Sequence, residues 1–383
     1  MKPKNKILRT VLTVALLLLV SMALGVVCGL MFLKTGLFDL QRGLHGIPAL
    51  LSELWFLAAF ALTYYLEIAL HEGGHLLCGL WSGYTFVSYR LGSMLWMRED
   101  GKLVRKRFSL AGTGGQCLMA PPGDSPDAPF PQMLYNFGGV LANLVTGLLF
   151  LALLAIPGVH TSLFWMPIAV FGGLGALYMA LSNGIPLAIG PVPNDGWNAL
   201  HLAKDPEARR AFWVTLSVNA RQYEGVRLRD MPEAWFALPS EEAMKNGMTA
   251  TLAVLAENRA MDALDFERAE ALFPVIRSEQ CRAAELYKKL LVCDEVTCAL
   301  LRDGAADVSA LRERSTARLL RQMKDFPSVL RAQYAAALLH DGDESQAQKL
   351  LARFDKVAET YPAQADIKSE REIIDRIQRA FAE

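Results

Sequence analysis

The chain has 383 residues, with 39 basic and 39 acidic side chains, and 52% of it is hydrophobic. The zero net charge says nothing by itself, but no pervasive basic bias points to a nucleic-acid partner. The apolar residues crowd into the first half and the charges into the second, which a soluble two-domain enzyme would not usually do.

Lys2, Lys4, Lys6 and Arg9 precede an uncharged run from Thr10 to Leu33. That run is long enough to cross a bilayer. It exceeds the apolar core of a secretory signal and no small-x-small cleavage site follows, so it reads as an uncleaved transmembrane helix over residues 9–33. A second span is expected over 54–79. Between Phe130 and Asn194 there is no Asp, Glu, Lys or Arg. This stretch accommodates two more spans, at 134–156 and 162–187, turning at Pro157-Gly158 and His160-Thr161-Ser162. Basic residues flank the spans at the N-terminus, from Arg98 to Arg107, and at Lys204, Arg209 and Arg210. An even number of crossings puts all three clusters on the cytoplasmic side. The expectation is a multi-pass cell-membrane protein with both termini in the cytoplasm. The six cysteines, at 28, 78, 117, 281, 293 and 298, form no CxxC pair and no disulfide framework, which fits reduced thiols.

The second span carries His71-Glu72-Gly73-Gly74-His75. Histidines four apart share a helix face and can reach one metal, while Glu72 sits beside that metal without ligating it, as a general base should. HExxH arises by chance in many helices. Here, however, two of only six histidines flank a glutamate inside an apolar span, where ionisable groups are expensive and usually functional. Glu67 lies one turn earlier on the same face, as a supporting residue or an interfacial one. Cys78 reads as packing.

After the second span, Thr85–Arg90 and Leu103–Phe108 are β-leaning runs, with Glu99-Asp100-Gly101 as a hairpin turn. Gly112, Gly114 and Gly115 then lead into Cys117–Ala120. A small membrane-associated β-hairpin or sheet is expected here, followed by a flexible connector from Pro121 to Pro131. The third span holds Phe137-Gly138-Gly139-Val140-Leu141-Ala142-Asn143. The fourth ends in Asn183-Gly184-Ile185-Pro186, ahead of Pro191-Val192-Pro193-Asn194-Asp195-Gly196. A catalytic zinc needs a third protein ligand, and Asp195 is the first charge after the neutral stretch. Its alternative role is a helix N-cap. His160 and His201 read as unrelated to the metal.

From about Asp205 onward the pattern is one amphipathic helix after another. Asp265–Leu272 and Asp343–Leu350 look related, each with a small residue three before Leu. They resemble tetratricopeptide-type repeats without the signature Trp and Gly positions, the alternative being an irregular helical bundle.

On these residues the chain resembles the site-2 protease family of intramembrane zinc metalloproteases, over roughly residues 50–200. The resemblance implies His71, His75 and Asp195 as zinc ligands, one zinc per chain, Glu72 as catalytic acid/base, and Asn143 as a substrate or oxyanion contact. Two departures stand out: Val140 replaces a frequent Pro, and Leu187 to Pro193 separate the Asn-x-x-Pro from Asp195. The expected fold is an α-helical polytopic membrane protein with a small β-hairpin, then an all-α helical-repeat-like domain. The domains are a membrane metalloprotease domain, residues 1–203, and a cytoplasmic helical domain, residues 204–383. The implied activity is endopeptidase cleavage in or beside the bilayer of a membrane-associated substrate, with a cytoplasmic partner for the helical domain. The alternatives are a non-catalytic membrane adaptor and a zinc transporter. The transporter would need polar residues along several spans.

Overall fold

The structure, a computed structural model, describes residues 3–34, 46–99, 101–109, 113–187, 193–303 and 306–382. Asp100 of the expected turn, Gly112, and Pro191 and Val192 ahead of Asn194 lie outside the described residues. Contacts divide the chain into two compact units. The first is Met1–Tyr84, Gly114–Cys117 and Pro131–Lys204; the second is Thr85–Thr113, Leu118–Phe130 and Asp205–Glu383. The break at Lys204 falls beside the expected boundary. The segment after Tyr84 differs, because most of it groups with the helical half.

The first unit is built on helices α1 (Pro3–Lys34), α2 (Ile47–Trp81), α3 (Gln132–Ala152) and α4 (Trp165–Gly184). Three apolar stretches, Ile47–Trp81, Gln132–Ala155 and Trp165–Gly184, are long and apolar enough to cross a membrane; Leu18–Lys34 is a shorter apolar stretch. Leu54, Leu57 and Phe60 of α2 and Val145, Leu148 and Leu149 of α3 point outward, whereas Thr63, Glu67 and His71 of α2 and Asn143 of α3 are buried. Apolar outside and polar inside is the arrangement lipid-facing helices need. Close approach of α2 and α3 rests on Gly74 and Gly138. A Cβ on Gly74 would lie 2.2 Å from the Gly138 carbonyl oxygen, and one on Gly138 would lie 2.4 Å from that of Gly74. Small residues at such crossings let backbones touch, the main attraction between helices in lipid. Phe32 ties α1 to the bundle, its ring centroid 5.3 Å from Phe56 and 5.5 Å from Phe171. Pro157-Gly158 forms the expected turn, with Gly158 at φ 87°.

The segment after α2 is a four-stranded antiparallel sheet rather than a single hairpin. Its strands are β1 (Thr85–Leu91), β2 (Met94–Glu99), β3 (Lys102–Arg107) and β4 (Gly115–Ala120), in the order β3-β2-β1-β4. The extra strand, β2, pairs Tyr89 with Trp96 on one side and Trp96 with Arg105 on the other. The two edges are β3 and β4. Pro121 to Pro131 is not a free connector. Trp213 donates to the Pro122 carbonyl at 3.1 Å, Arg210 pairs with Asp127 at 2.9 Å, and Phe130 stacks on Phe212.

The second unit continues with α6 (Pro206–Tyr223), α7 (Gly247–Asp262), α8 (Phe266–Arg277), α9 (Glu285–Asp303), α10 (Ser309–Arg312), α11 (Arg314–Gln322), α12 (Pro327–Ala335), α13 (Glu344–Ala358) and α14 (Gln364–Ala382). The two related stretches hold equivalent places, each opening the second helix of a hairpin, α7–α8 and α12–α13. Asp265 caps α8 by accepting from the Arg268 N–H at 3.1 Å, and Asp343 caps α13 by accepting from Gln346 at 2.9 Å. Ala269 and Ala347 are buried where the helices meet. The residue before each cap is left-handed: Leu264 at φ 58° and Gly342 at φ 65°.

Candidate metal centre

His71 and His75 lie one turn apart on the buried face of α2. Each ring is held from behind. His71 Nδ1 is 2.6 Å from Asn143 Oδ1, and His75 Nδ1 is 2.8 Å from the Tyr135 carbonyl oxygen. Both partners are acceptors, so each Nδ1 carries the proton and each Nε2 is left with a lone pair. Those two Nε2 atoms face each other at 3.2 Å. Asp195 brings a carboxylate to the same point, its Oδ2 3.1 Å from His71 Nε2 and 3.4 Å from His75 Nε2.

Three lone-pair donors pressed together would repel unless a cation sat among them. A tetrahedral metal bound at about 2.0–2.1 Å spaces its ligand atoms about 3.3 Å apart. The three observed separations, 3.1, 3.2 and 3.4 Å, fit that edge length. Among the described residues this is the one group of three such side chains that converges to metal-ligand spacing. The donor set therefore suits a zinc-type ion with its fourth position open.

Asp195 reaches the histidines because its neighbour takes the capping work. Helix α5 (Asp195–Leu202) is capped by Asn194, whose Oδ1 accepts from the Trp197 N–H at 3.0 Å and the Leu187 N–H at 2.9 Å. Asn194 Nδ2 donates to the carbonyls of Ser182 and Ile185, at 2.8 and 2.6 Å. One side chain thus fastens the end of α4 to the start of α5 across the inserted residues. The N-cap alternative for Asp195 gives way to this arrangement. The glycine after the Asp serves the same junction, since a Cβ on Gly196 would lie 2.1 Å from the Gly184 carbonyl oxygen. Gly184 in turn faces Val140, the residue standing where Pro is frequent in the resembling family.

Glu72 stands beside the histidines on the β4 side. A Cβ on Gly115 would sit 2.7 Å from Glu72 Cγ, so only glycine admits the carboxylate there. The Cys117 backbone N–H donates to that carboxylate. Tyr135 secures the same strand, its hydroxyl donating to the Cys117 carbonyl at 3.0 Å while its own carbonyl serves His75.

Asn143 does not face the open side of the site. Its Oδ1 accepts from His71, and its Nδ2 donates to Glu67 Oε2 at 2.8 Å and to the Glu67 carbonyl at 3.1 Å. With both ends of the carboxamide engaged, it fixes the His71 ring instead of offering an oxyanion contact. Glu67 joins the same chain, 1% exposed, and also accepts from Thr146 at 2.8 Å. Of its two sequence-level roles, the supporting one matches this contact. Cys78 is buried and is not part of the donor group, His201 stacks on Trp197 at 4.2 Å, and all six cysteines are free.

Sequence reasoning missed Thr146, and it named Asn194 and Gly139 without their roles. Asn194 was legible as an Asx residue immediately before a helix run. Gly139 stood in the glycine-rich segment of the third span, but its reason lies in the fold: the His71 ring is 2.5 Å from where a Cβ would be. No known family matches the chain, and no characterised protein or solved structure is significantly similar to it. The likeness to site-2 proteases is a resemblance of sequence motifs alone.

Proposed function

We propose that the chain is a zinc-dependent membrane endopeptidase of site-2 protease type, which hydrolyses a peptide bond within or next to the bilayer in a membrane-associated substrate. On this reading it is a multi-pass cell-membrane protein with both termini in the cytoplasm. The observation that carries it is the triangle of His71 Nε2, His75 Nε2 and Asp195 Oδ2 at tetrahedral-edge spacing, with Glu72 adjacent and unligated. His71, His75 and Asp195 would hold the ion. The ion, when bound, polarises the scissile carbonyl and the attacking water.

Glu72 takes a proton from that water as it attacks and returns one to the leaving amine. The Cys117 N–H keeps its carboxylate aimed at the reacting atoms. The chain of Glu67, Asn143 and His71 fixes the His71 tautomer, so the Nε2 lone pair stays on the metal side. A helical peptide bond must unwind before water can reach it. Strand β4, at the edge of its sheet and next to Glu72, supports the idea of an extended substrate segment lying beside it.

Glu72→Gln separates this reading from a non-catalytic adaptor. The variant should keep its metal and fold and lose about 10²–10⁴-fold or more in rate. New protein N-termini in membranes from cells carrying wild type or Glu72→Gln are the readout. Termini present only with wild type are expected; identical sets from two metal-loaded proteins would sink the proteolysis reading.

A further inference from the structure

The helical unit holds a partly open cavity of about 350 Å³, within the range of small-ligand sites. Its walls come from α6, α7, α9, α14 and the start of α12. Five carboxyl groups line it: Glu257, Asp262, Asp294, Asp366 and Glu370. The cations beside them are fewer. Arg331, 0% exposed, approaches Asp294 Oδ1 at 2.5 Å and Glu370 Oε2 at 2.7 Å, and Arg227 holds Asp262 at 2.6 Å while also pairing with Glu372. Among the described residues, the Asp366 carboxylate receives the Gln222 amide. Glu257 is 1% exposed, and its Oε1 has no hydrogen-bond partner.

A buried carboxyl without a partner is costly, and each such group waits for a proton or a cation. Burial raises the proton affinity of Glu257, Asp294, Asp366 and Glu370 alike, Asp366 and Glu370 to about 7. A metal ion is the wrong occupant, because no three of these carboxyl groups converge to ligand spacing. The apolar wall of Leu228, Val254, Leu290 and Ile373 suits a methylene chain instead. Asn219 and Asn258 add carboxamides that can hold a polypeptide backbone.

We propose that this cavity, with Glu257 as its anchoring carboxyl, binds an alkyl-ammonium or alkyl-guanidinium group, as carried by a Lys or Arg side chain of a polypeptide or by a free diamine. The site rests on nothing in the metal centre and stands or falls separately from the proteolysis reading. Titration calorimetry of the full chain in detergent micelles tests it with three probes: acetyl-Ala-Ala-Lys-Ala-Ala-amide, the same peptide with an acetylated lysine, and 1,5-diaminopentane. The lysine peptide should bind about tenfold or more tightly than its acetylated form, since truncating one partner of a buried charge pair costs at least that factor. Binding by the diamine alone would assign the site to free amines and leave its chemistry as stated. Glu257→Gln and Ser369→Phe, the latter filling the cavity without removing a carboxyl, should each weaken the cation about tenfold or more. If Glu257→Gln does not fold, Ser369→Phe decides. No binding of either cation at millimolar concentration, equal binding of the acetylated peptide, or unchanged binding by the folded variants would overturn the proposal.

Discussion

Gly139→Ala tests the metal centre without altering any ligand. The added Cβ would lie 2.5 Å from both Cε1 and Nε2 of His71 and 2.7 Å from Cδ2. Carbon atoms in contact prefer about 3.5–4.0 Å, so the ring or helix α3 must retreat by about 1 Å. The ring cannot swing freely, because Asn143 holds its Nδ1 at 2.6 Å and the His75 ring lies edge-on at 4.9 Å. Metal sites tolerate departures of only about 0.2 Å from ideal ligand distances. Overpacking of this kind costs about 1–3 kcal/mol. If the metal-free form escapes that cost by turning the ring away, zinc affinity falls by the same amount, about 5- to 150-fold. Gly73→Ala is the matched control: it lies in the same HExxH segment, and its Cβ would have nothing within 4 Å. Competition for zinc against a fluorescent chelator, on detergent-purified protein, measures both. Gly139→Ala binding zinc within twofold of wild type, with Gly73→Ala unchanged, would refute the placement of His71 Nε2 as a ligand.

Asn143→Ala removes the acceptor behind His71 and should lower zinc affinity by about 10–100-fold, the usual effect of losing an outer partner of a ligating histidine; the same competition assay reads it. Gly342→Ala puts a side chain on a backbone at φ 65° with open space around it, so the cost is conformational alone, about 1 kcal/mol in a urea melt. A pH dependence follows from Asp366 and Glu370, whose carboxyls burial lifts to about 7 beside Asp294 and Arg331. The folded state then binds more protons than the unfolded one between about pH 4 and 7, so stability falls as pH rises through that window and levels off above it. Amide exchange along α14, corrected for intrinsic rates, should show weaker protection at pH 8 than at pH 5.5; stronger protection at pH 8 would reverse the assignment.

What the residues alone determined is what local rules govern. The 3.6-residue period is enough to put Glu67, His71 and His75 on one face of a helix, and apolar length is enough to mark spans near 54–79, 134–156 and 162–187, which fall in the apolar stretches Ile47–Trp81, Gln132–Ala155 and Trp165–Gly184. The likeness of Asp265–Leu272 and Asp343–Leu350 is likewise read from a few neighbouring residues. Other features depended on partners far along the chain. The continuous apolar run Met94-Leu95-Trp96-Met97 has no alternation to betray a strand, and it became β2 only by pairing on both sides. Pro121 to Pro131 read as a linker until Trp213, Arg210 and Phe212 pinned it. Asn143 acts on a histidine 72 positions away and Asp195 on one 124 away. Whether each presents its polar atoms to the metal side or to the back of a ring is settled by helix packing at Gly74, Gly138 and Gly196. Periodicity chooses which face a side chain occupies, but only the closing of backbones on one another decides which atom it meets there.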